Sequence, residues 1–572
     1  MLYKGNPVSQ GIAIGEVYRY APYAATISER AITQDEVGQA VGQYLDLIER
    51  TEAEILAIVE SLLADSPDKA AIFTAHVEIL HDETMNAEIE ELIRDELVAP
   101  ECAIEKVYDK FARLLAKSKN PQIRERVADV KDLKSRMLRI WFGVPEQSLA
   151  SLPKEVIIVA HDLYPSDTAM LDREKAMGII TEIGGSTSHT AIIARSYEIP
   201  AILGVPDAMR TLRDGETVIV DAVDGIIHTS PDIIMQSVYA KKREDYLAYV
   251  HKINKYRDVK PVTKDGVYIE VFLNIGSVSP DELAGSLYTD GVGLFRTEFM
   301  YISNLILPTE EEQFREYRKV ALEFGERPVV MRTLDIGGDK QLECIKLPKE
   351  ENPFLGMRAL RLCFDNLPLF QTQIRAILRA AVYGNLWLML PMVGSLDDIR
   401  TAKKIIADVK AELDRDGISY KNIPVGIMIE IPSIALVADI AASEVDFASI
   451  GTNDLCQYLT AVDRMNPAVS KYYQCYHPSM FRIMEQAINA FNKAGKPICV
   501  CGEMGGEPLA AAALVGLGIR KLSMGASAVP RIKKLLTGIT IPQAEEIARK
   551  VLAQPTASDV EFVLSESLKD LI

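Results

Sequence analysis

Apolar and polar positions change rhythm several times along the chain. Residues 1 to about 20 alternate and carry glycines (NPVSQGIAIGEVYRY), which predicts strand and turn. From Thr33 to about Phe142 apolar residues recur at spacings of three and four, through QDEVGQAVGQYLDLIERTEAEILAIVESLL, SPDKAAIFTAHVEILHDETMNAEIEELIRDEL, AIEKVYDKFARLLAKSK and VADVKDLKSRMLRIWFG. Ser66-Pro67 marks a helix start and the KNP run at 119–121 a stop, so this block predicts a bundle of about four helices. Strand texture returns at VIIVAHDL (156–163), GIITEIGG (178–185), AILGV (201–205) and TVIVDAVDGIIHT (217–229). The pattern predicts an α/β domain built from 1–20 and 145–230, interrupted by a helical insertion at 21–144.

A charged helical stretch, IIMQSVYAKKREDYLAYVHKINKYRDVK, then predicts a linker at 231–260. Beyond it, eight short apolar runs are separated by helix-length segments: YIEVFLNIG, GVGLFRTEF, VVMRTLDIGG, LWLMLPMV, VGIMIEIP, FASIGTND, ICVCGEM and KLSMGAS. This repetition over 261–572 predicts a (β/α)8 TIM-type barrel. An open doubly wound sheet is the competing arrangement, but no G-x-G-x-x-G follows the first strand to favour it.

Composition narrows the class. The 572 residues are 48% hydrophobic and 25% charged, enough to fill several buried cores. No apolar run follows a basic start at the N-terminus, and no window reaches the roughly 18 uncharged apolar residues of a membrane span, so a cytoplasmic protein without membrane insertion is expected. Seven cysteines are scattered without a C-x-x-C pair, which argues for reduced thiols over a disulfide framework or structural zinc. The formal charge of −18 argues against a nucleic-acid partner, which would call for a basic stripe.

In a barrel, functional residues gather where strands meet the following loops. Here those ends carry Asn274, Arg296, Arg332, Glu430, Asn453, Asp454 and Cys501, with Arg358 and Arg464 in loops on the same side. Several guanidinium groups together suit a small substrate bearing phosphate and carboxylate. Glu430 and Asp454 would compete for those arginines unless a hard cation lay between them, which points to Mg²⁺, with Mn²⁺ as a substitute. An arginine–carboxylate network that merely caps the barrel is the competing account. Cys501, at a strand end, has the chemistry of a proton donor to an enolate, although cysteines in apolar strands are usually small buried hydrophobes.

Only seven histidines occur in the chain, and His189 lies in GGSTSHTAII, behind two glycines and at the start of an apolar helical run. Gly184 and Gly185 permit close backbone approach, Thr187 or Ser188 can cap, and the helix N-terminus favours an anion. A phosphohistidine is one reading. A histidine that caps or packs a helix start is the other.

The stretch GGSTSHTAIIAR (184–195), together with GVGLFRTEFMY, RTLDIGGDK, NPFLGMRALR, GIMIEIPS, GTNDLCQY and CGEMGG in order along the chain, resembles the phosphoenolpyruvate-utilising family, and within it the enzyme I branch of the bacterial sugar phosphotransferase system. The resemblance implies a phosphoenolpyruvate-protein phosphotransferase. His189 would accept the phosphoryl group on Nε2 with Thr168 as hydrogen-bond partner. Arg296, Arg332, Arg358 and Arg464 would hold phosphate and carboxylate, aided by Asn453 and Asp454. Glu430 and Asp454 would ligate Mg²⁺, Cys501 would protonate C3 of enolpyruvate, and Lys340 would add positive charge. The resemblance also implies transfer onward to a histidine of the small phosphocarrier protein HPr, docked on the helical insertion near Glu78, Ile79, Asp82 and Glu83, and a homodimer through the barrel. A synthase or dikinase of the same family would need a nucleotide-binding domain, and no glycine-rich nucleotide loop precedes His189. An Mg-dependent barrel lyase would leave His189 without a task.

Overall fold

The computed structural model describes residues 2–21, 27, 30–63, 67–116, 121–145, 149–150, 152–185, 188–302, 307–338 and 350–571. The chain divides into two compact units, Met1–Val250 and His251–Ile572.

The first unit contains an eight-stranded sheet of β1 (Leu2–Lys4), β2 (Asn6–Ser9), β3 (Ile12–Tyr20), β4 (Val156–Ala160), β5 (Ala176–Thr181), β6 (Ala201–Leu203), β7 (Thr217–Asp221) and β8 (Ile226–Thr229), in the order β1-β8-β7-β3-β4-β5-β6-β2. Strands β3 to β6 run parallel, and the flanking pairs are antiparallel. β4 reads VIIVA because it is central and buried throughout its length. The chain leaves the sheet at Tyr20 and returns at Val156 beside it, with Glu16 paired to Val156 and Tyr20 to Ala160.

Between those neighbours lie helices Val37–Leu63, Pro67–Leu80, Glu83–Arg94, Pro100–Ala116 and Pro121–Trp141, which share a core of their own around Tyr44, Phe73, Ile89 and Leu133. There are thus five helices among the described residues, not about four. The extra break falls at Asp82, whose carboxylate accepts from Met85 N at 2.8 Å and so caps a new helix inside what the apolar spacing reads as one. Helix Ile233–Asn254 follows the sheet, and its Lys242 reaches Asp221 and Asp224 of this unit at 2.6 Å each.

The second unit is a closed parallel barrel of β9 (Glu270–Ile275), β10 (Val292–Arg296), β11 (Val329–Arg332), β12 (Leu386–Leu390), β13 (Val425–Ile429), β14 (Ala448–Ile450), β15 (Ile498–Val500) and β16 (Lys521–Met524), with β16 paired back to β9. Each strand falls in one of the eight predicted runs. Leu294, Met389, Met428 and Phe447 fill the interior together with Cys501. Gly426 is required there: a Cβ would come within 2.6 Å of the Phe447 ring. Among the described residues no helix is long and apolar enough to cross a membrane.

Candidate functional site

The C-terminal ends of the barrel strands converge on one rim. Arg296 ends β10 and Arg332 ends β11, Glu430 follows β13, Cys501 follows β15, and Asn453 with Asp454 opens helix Thr452–Thr460 after β14. A cavity of about 540 Å³ opens here, lined by Asn274, Arg296, Cys501, Glu503 and Arg531 among others. Asn453 is fixed at its edge by reciprocal 3.2 Å hydrogen bonds with Glu503, the amide donating to the carboxylate and accepting from the backbone N–H.

Buried carboxylates hold the arginines. Arg332 pairs with Glu298 and, at 3.0 Å, with Asp335. Arg358 donates to both oxygens of Asp335 at 2.9 and 3.1 Å, and to both of Asp454 at 3.1 and 3.3 Å. Arg464 stands 3.9 Å from Asp454, and the Tyr458 hydroxyl accepts from Arg358 at 3.2 Å. Glu298 and Asp335 are each 1% exposed and Arg358 is 2% exposed, so the network lies almost out of water. Burial opposes the charge on Arg332 and Arg358, but the adjacent carboxylates outweigh it and both guanidinium groups hold their protons more tightly than usual.

Glu430 behaves differently. Its Oε1 accepts from Met392 N at 2.6 Å, while its buried Oε2 has no hydrogen-bond partner among the described residues. Burial pushes this carboxyl up to about 8, with Asp454 and Asp335 adding to the effect. A sealed, half-satisfied carboxylate near a second one is a fitting ligand for a hard cation, although no group of three or more His, Cys, Asp or Glu side chains among the described residues forms a metal cage by itself. Burial also pushes the Cys501 thiol up to about 11, so it carries its proton at neutral pH. Its Sγ lies 3.6 Å from the Ile450 carbonyl oxygen.

In the first unit His189 is the first residue of helix His189–Ser196. Ser188 is the cap, its Oγ accepting from Ala191 N at 3.2 Å; Thr187, the other candidate, lies outside the described residues. Gly184 adopts φ +112°, a conformation few L residues tolerate, and a Cβ there would press within 3.2 Å of Leu203. Thr168 sits buried in the short helix Pro165–Ala169, its hydroxyl donating to the Tyr164 carbonyl at 3.3 Å. Beside it, Asp167 takes hydrogen bonds from Tyr20 and from Tyr164 N, and burial, reinforced by Asp132, raises its carboxyl to about 7. Glu78, Asp82 and Glu83 are exposed and Ile79 is half-buried.

The structure therefore gathers Arg296, Arg332, Arg358, Arg464, Glu430, Asn453, Asp454 and Cys501 at one mouth, and puts His189 and Thr168 in the other unit. Lys340 lies outside the described residues. Glu298 and Asp335 are absent from the sequence reading, yet each has a signal: an acid two residues after Arg296 and three after Arg332, in RTEF and RTLD.

Residues 250–541 match the model of the PEP-utilising enzyme PEP-binding domain, 152–225 that of the mobile domain, and 4–126 that of the N-terminal domain. A phosphoenolpyruvate-protein phosphotransferase of Bacillus sp. (strain S) is 42% identical over 562 residues, covering 97% of this chain and 96% of that protein. One from Listeria monocytogenes is 42% identical over 563 residues, with 97% of each chain covered, and one from Bacillus subtilis is 41% identical over 570, with 99% of each. An NMR solution structure of Enzyme I (nEIt) is 36% identical and covers 43% of this chain and 99% of its own, with a TM-score of 0.39. Matched along nearly its whole length by these models and relatives, the chain belongs to the phosphoenolpyruvate-utilising enzyme family.

Proposed function

We propose that this chain is a phosphoenolpyruvate-protein phosphotransferase that takes the phosphoryl group of phosphoenolpyruvate onto His189 and passes it to a histidine of the phosphocarrier HPr, the first step of sugar uptake by the phosphotransferase system. The observation that carries the reading is the buried network tying Arg332 and Arg358 to Asp335 and Asp454 at the C-terminal ends of the barrel strands. It presents donors that are already oriented, so little reorganisation is needed when negative charge arrives.

In this reading Arg296, Arg332, Arg358 and Arg464 bind the phosphate and carboxylate, and Asn453 orients them. Glu430 and Asp454 hold Mg²⁺, or Mn²⁺ in its place; bound there, the ion would neutralise charge on the transferring phosphoryl oxygens. The unpartnered Glu430 Oε2 supports this assignment. The phosphoenolpyruvate P–O bond breaks as the bond to His189 Nε2 forms, leaving enolpyruvate. Cys501 gives its proton to C3 and is reprotonated from solvent, yielding pyruvate; a thiol raised to about 11 suits a donor. Thr168 orients the imidazole and Lys340 adds positive charge.

The reading assigns phosphohistidine chemistry to 1–20 and 145–230, carrier docking near Glu78, Ile79, Asp82 and Glu83 to the insertion at 21–144, and substrate binding to 261–572, in a cytoplasmic homodimer joined through the barrel. It requires the 231–260 connection to let His189 serve both barrel mouth and carrier. The test is incubation with phosphoenolpyruvate labelled at phosphorus, with and without ATP, followed by HPr. Acid-labile label without nucleotide, one pyruvate per label and transfer to HPr are expected. A requirement for ATP, or pyruvate formed without label, would overturn the reading.

A further inference from the structure

The segment 163–171 straddles two cores. Leu163 and Leu171 pack in the core of the sheet together with Ala191 and Ala194 of the helix that begins at His189, whereas Ala169 and Met170 pack in the core of the helical insertion. Between them lies the short helix Pro165–Ala169, which carries the buried Thr168. Two aspartates tie this helix down from opposite sides. On the sheet side its own Asp167 accepts from the hydroxyl of Tyr20, the last residue of β3. On the insertion side its Ser166 hydroxyl donates to Oδ2 of Asp132, in helix Pro121–Trp141. Thr190, the residue after His189, reaches back to the Leu163 carbonyl at 3.5 Å.

Asp132 is a costly link between two surfaces. It is buried, and close enough to Asp167 to reinforce the effect of burial on that carboxyl. Its Oδ2 also stands 3.9 Å from Nε2 of His76 in helix Pro67–Leu80, and Asp129 lies 3.6 Å from the same nitrogen. His76 is fully buried, yet neither of its ring nitrogens has a hydrogen-bond partner among the described residues. Apolar packing of the kind Ala169 and Met170 already provide would join the surfaces with less penalty, since a buried charge adds little net stability. What the carboxylate adds is direction: a charge-assisted hydrogen bond in a dry seam fixes its donor more closely than packing does.

We propose that Asp132 is a positioning residue for the phosphoryl acceptor: by holding Ser166 it makes the helical insertion set the orientation of the Thr168 helix and, through Thr168 and Leu163, that of His189. This rests on His189 accepting the phosphoryl group with Thr168 as its partner. The same imidazole serves acceptance and onward transfer, so loss of the link slows both half-reactions. Affinity for phosphoenolpyruvate, which belongs to the barrel, stays as it was.

The test uses the full chain as wild type, Ser166→Ala, Asp132→Ala and the double variant. Labelling is followed over a range of phosphoenolpyruvate concentrations, and discharge to HPr is followed from pre-labelled enzyme. Ser166→Ala is expected to lower the saturating labelling rate and the discharge rate about tenfold each, below the ~100-fold that a 1 Å misplacement can cost, with the half-saturating phosphoenolpyruvate concentration unchanged. The double variant should be no slower than Asp132→Ala, because the two side chains act through one bond. NMR of the seven histidines, with the His189 signal assigned by its loss in His189→Ala, should show that signal displaced in Ser166→Ala. Should Asp132→Ala fail to fold, the Ser166→Ala rates and spectrum decide alone. Wild-type rates or an unmoved His189 signal in Ser166→Ala, or rate losses that simply multiply in the double variant, would overturn the proposal. Wild type that takes no label at all would instead sink the functional reading, while the histidine spectrum would still decide whether Ser166 governs the His189 ring.

Discussion

At the barrel mouth Arg332, Arg358, Glu298 and Asp335 are nearly sealed from solvent and clamp one another in ion pairs, whereas the turn before His189 is built from glycines, a serine cap and the first N–H groups of a short helix. In the proposed function the two regions would handle negative charge by different means. Paired buried charges are fixed in place, so an anionic substrate meets donors whose orientation was settled during folding. A helix start offers oriented N–H groups without a fixed counter-ion, which suits a group that must take up a phosphoryl and then release it. The cost of the first arrangement is dependence on every partner, because a buried charge stripped of its mate is far more damaging than the pair was stabilising.

Asp335→Asn should therefore produce the largest effect. It removes carboxylate charge from Arg332 and Arg358 at once and should cost about 3–5 kcal/mol in denaturant unfolding of the barrel unit. Labelling by phosphoenolpyruvate should fall at least about 100-fold, the scale of losing preorganised donors, with partial rescue in Asp335→Glu. A near-normal rate would mean that the network only caps the barrel. Next, Cys501→Ala should slow pyruvate turnover by about 100-fold, the scale of a lost general acid. Phosphoryl passage from pre-labelled enzyme to HPr should stay unchanged, and equal slowing of both steps would deny the thiol its separate task.

Smaller effects belong to the His189 unit. The Asp167 carboxyl, faced by Asp132, Arg136, Tyr20 and Tyr164, is raised to about 7 from an ordinary value near 4. A raised carboxyl contributes stability that is complete below the unfolded value and is lost as pH climbs through the folded one. This unit should thus be less stable against unfolding at pH 8 than at pH 5 by about 2 kcal/mol, and Asp167→Asn should flatten that slope. A wild type that gains stability over the same interval would contradict the assignment. Smallest of all, Ser188→Ala should cost about 1 kcal/mol of this unit's stability while leaving phosphoenolpyruvate binding by the barrel untouched, as calorimetric titration would show.

The same contrast governs what could be read in advance. Barrel strands buried on both faces spell continuous apolar runs, so all eight are legible and the residues at their ends stand out. What those end residues touch is not legible. Glu298 and Asp335 follow rim arginines closely in sequence, but Asp335 also grips Arg358 and Asp454 grips it too, and only closure of the barrel brings those groups together. The break at Asp82 is hidden for a different reason: a single capping carboxylate ends one helix and starts another without disturbing the apolar spacing. In the His189 segment the glycines and the capping serine are visible because local backbone geometry demands them.

The central claim is that phosphorus travels from the barrel's substrate to one imidazole. Its most direct test is to mix wild type and His189→Ala with phosphoenolpyruvate, digest under mildly alkaline conditions that preserve phosphoramidates, and map the modified peptide by mass spectrometry. The account predicts a single phosphorylated site, His189, lost in the alanine variant and discharged when HPr is added. Phosphate on another residue, or an alanine variant labelled as fully as wild type, would contradict it.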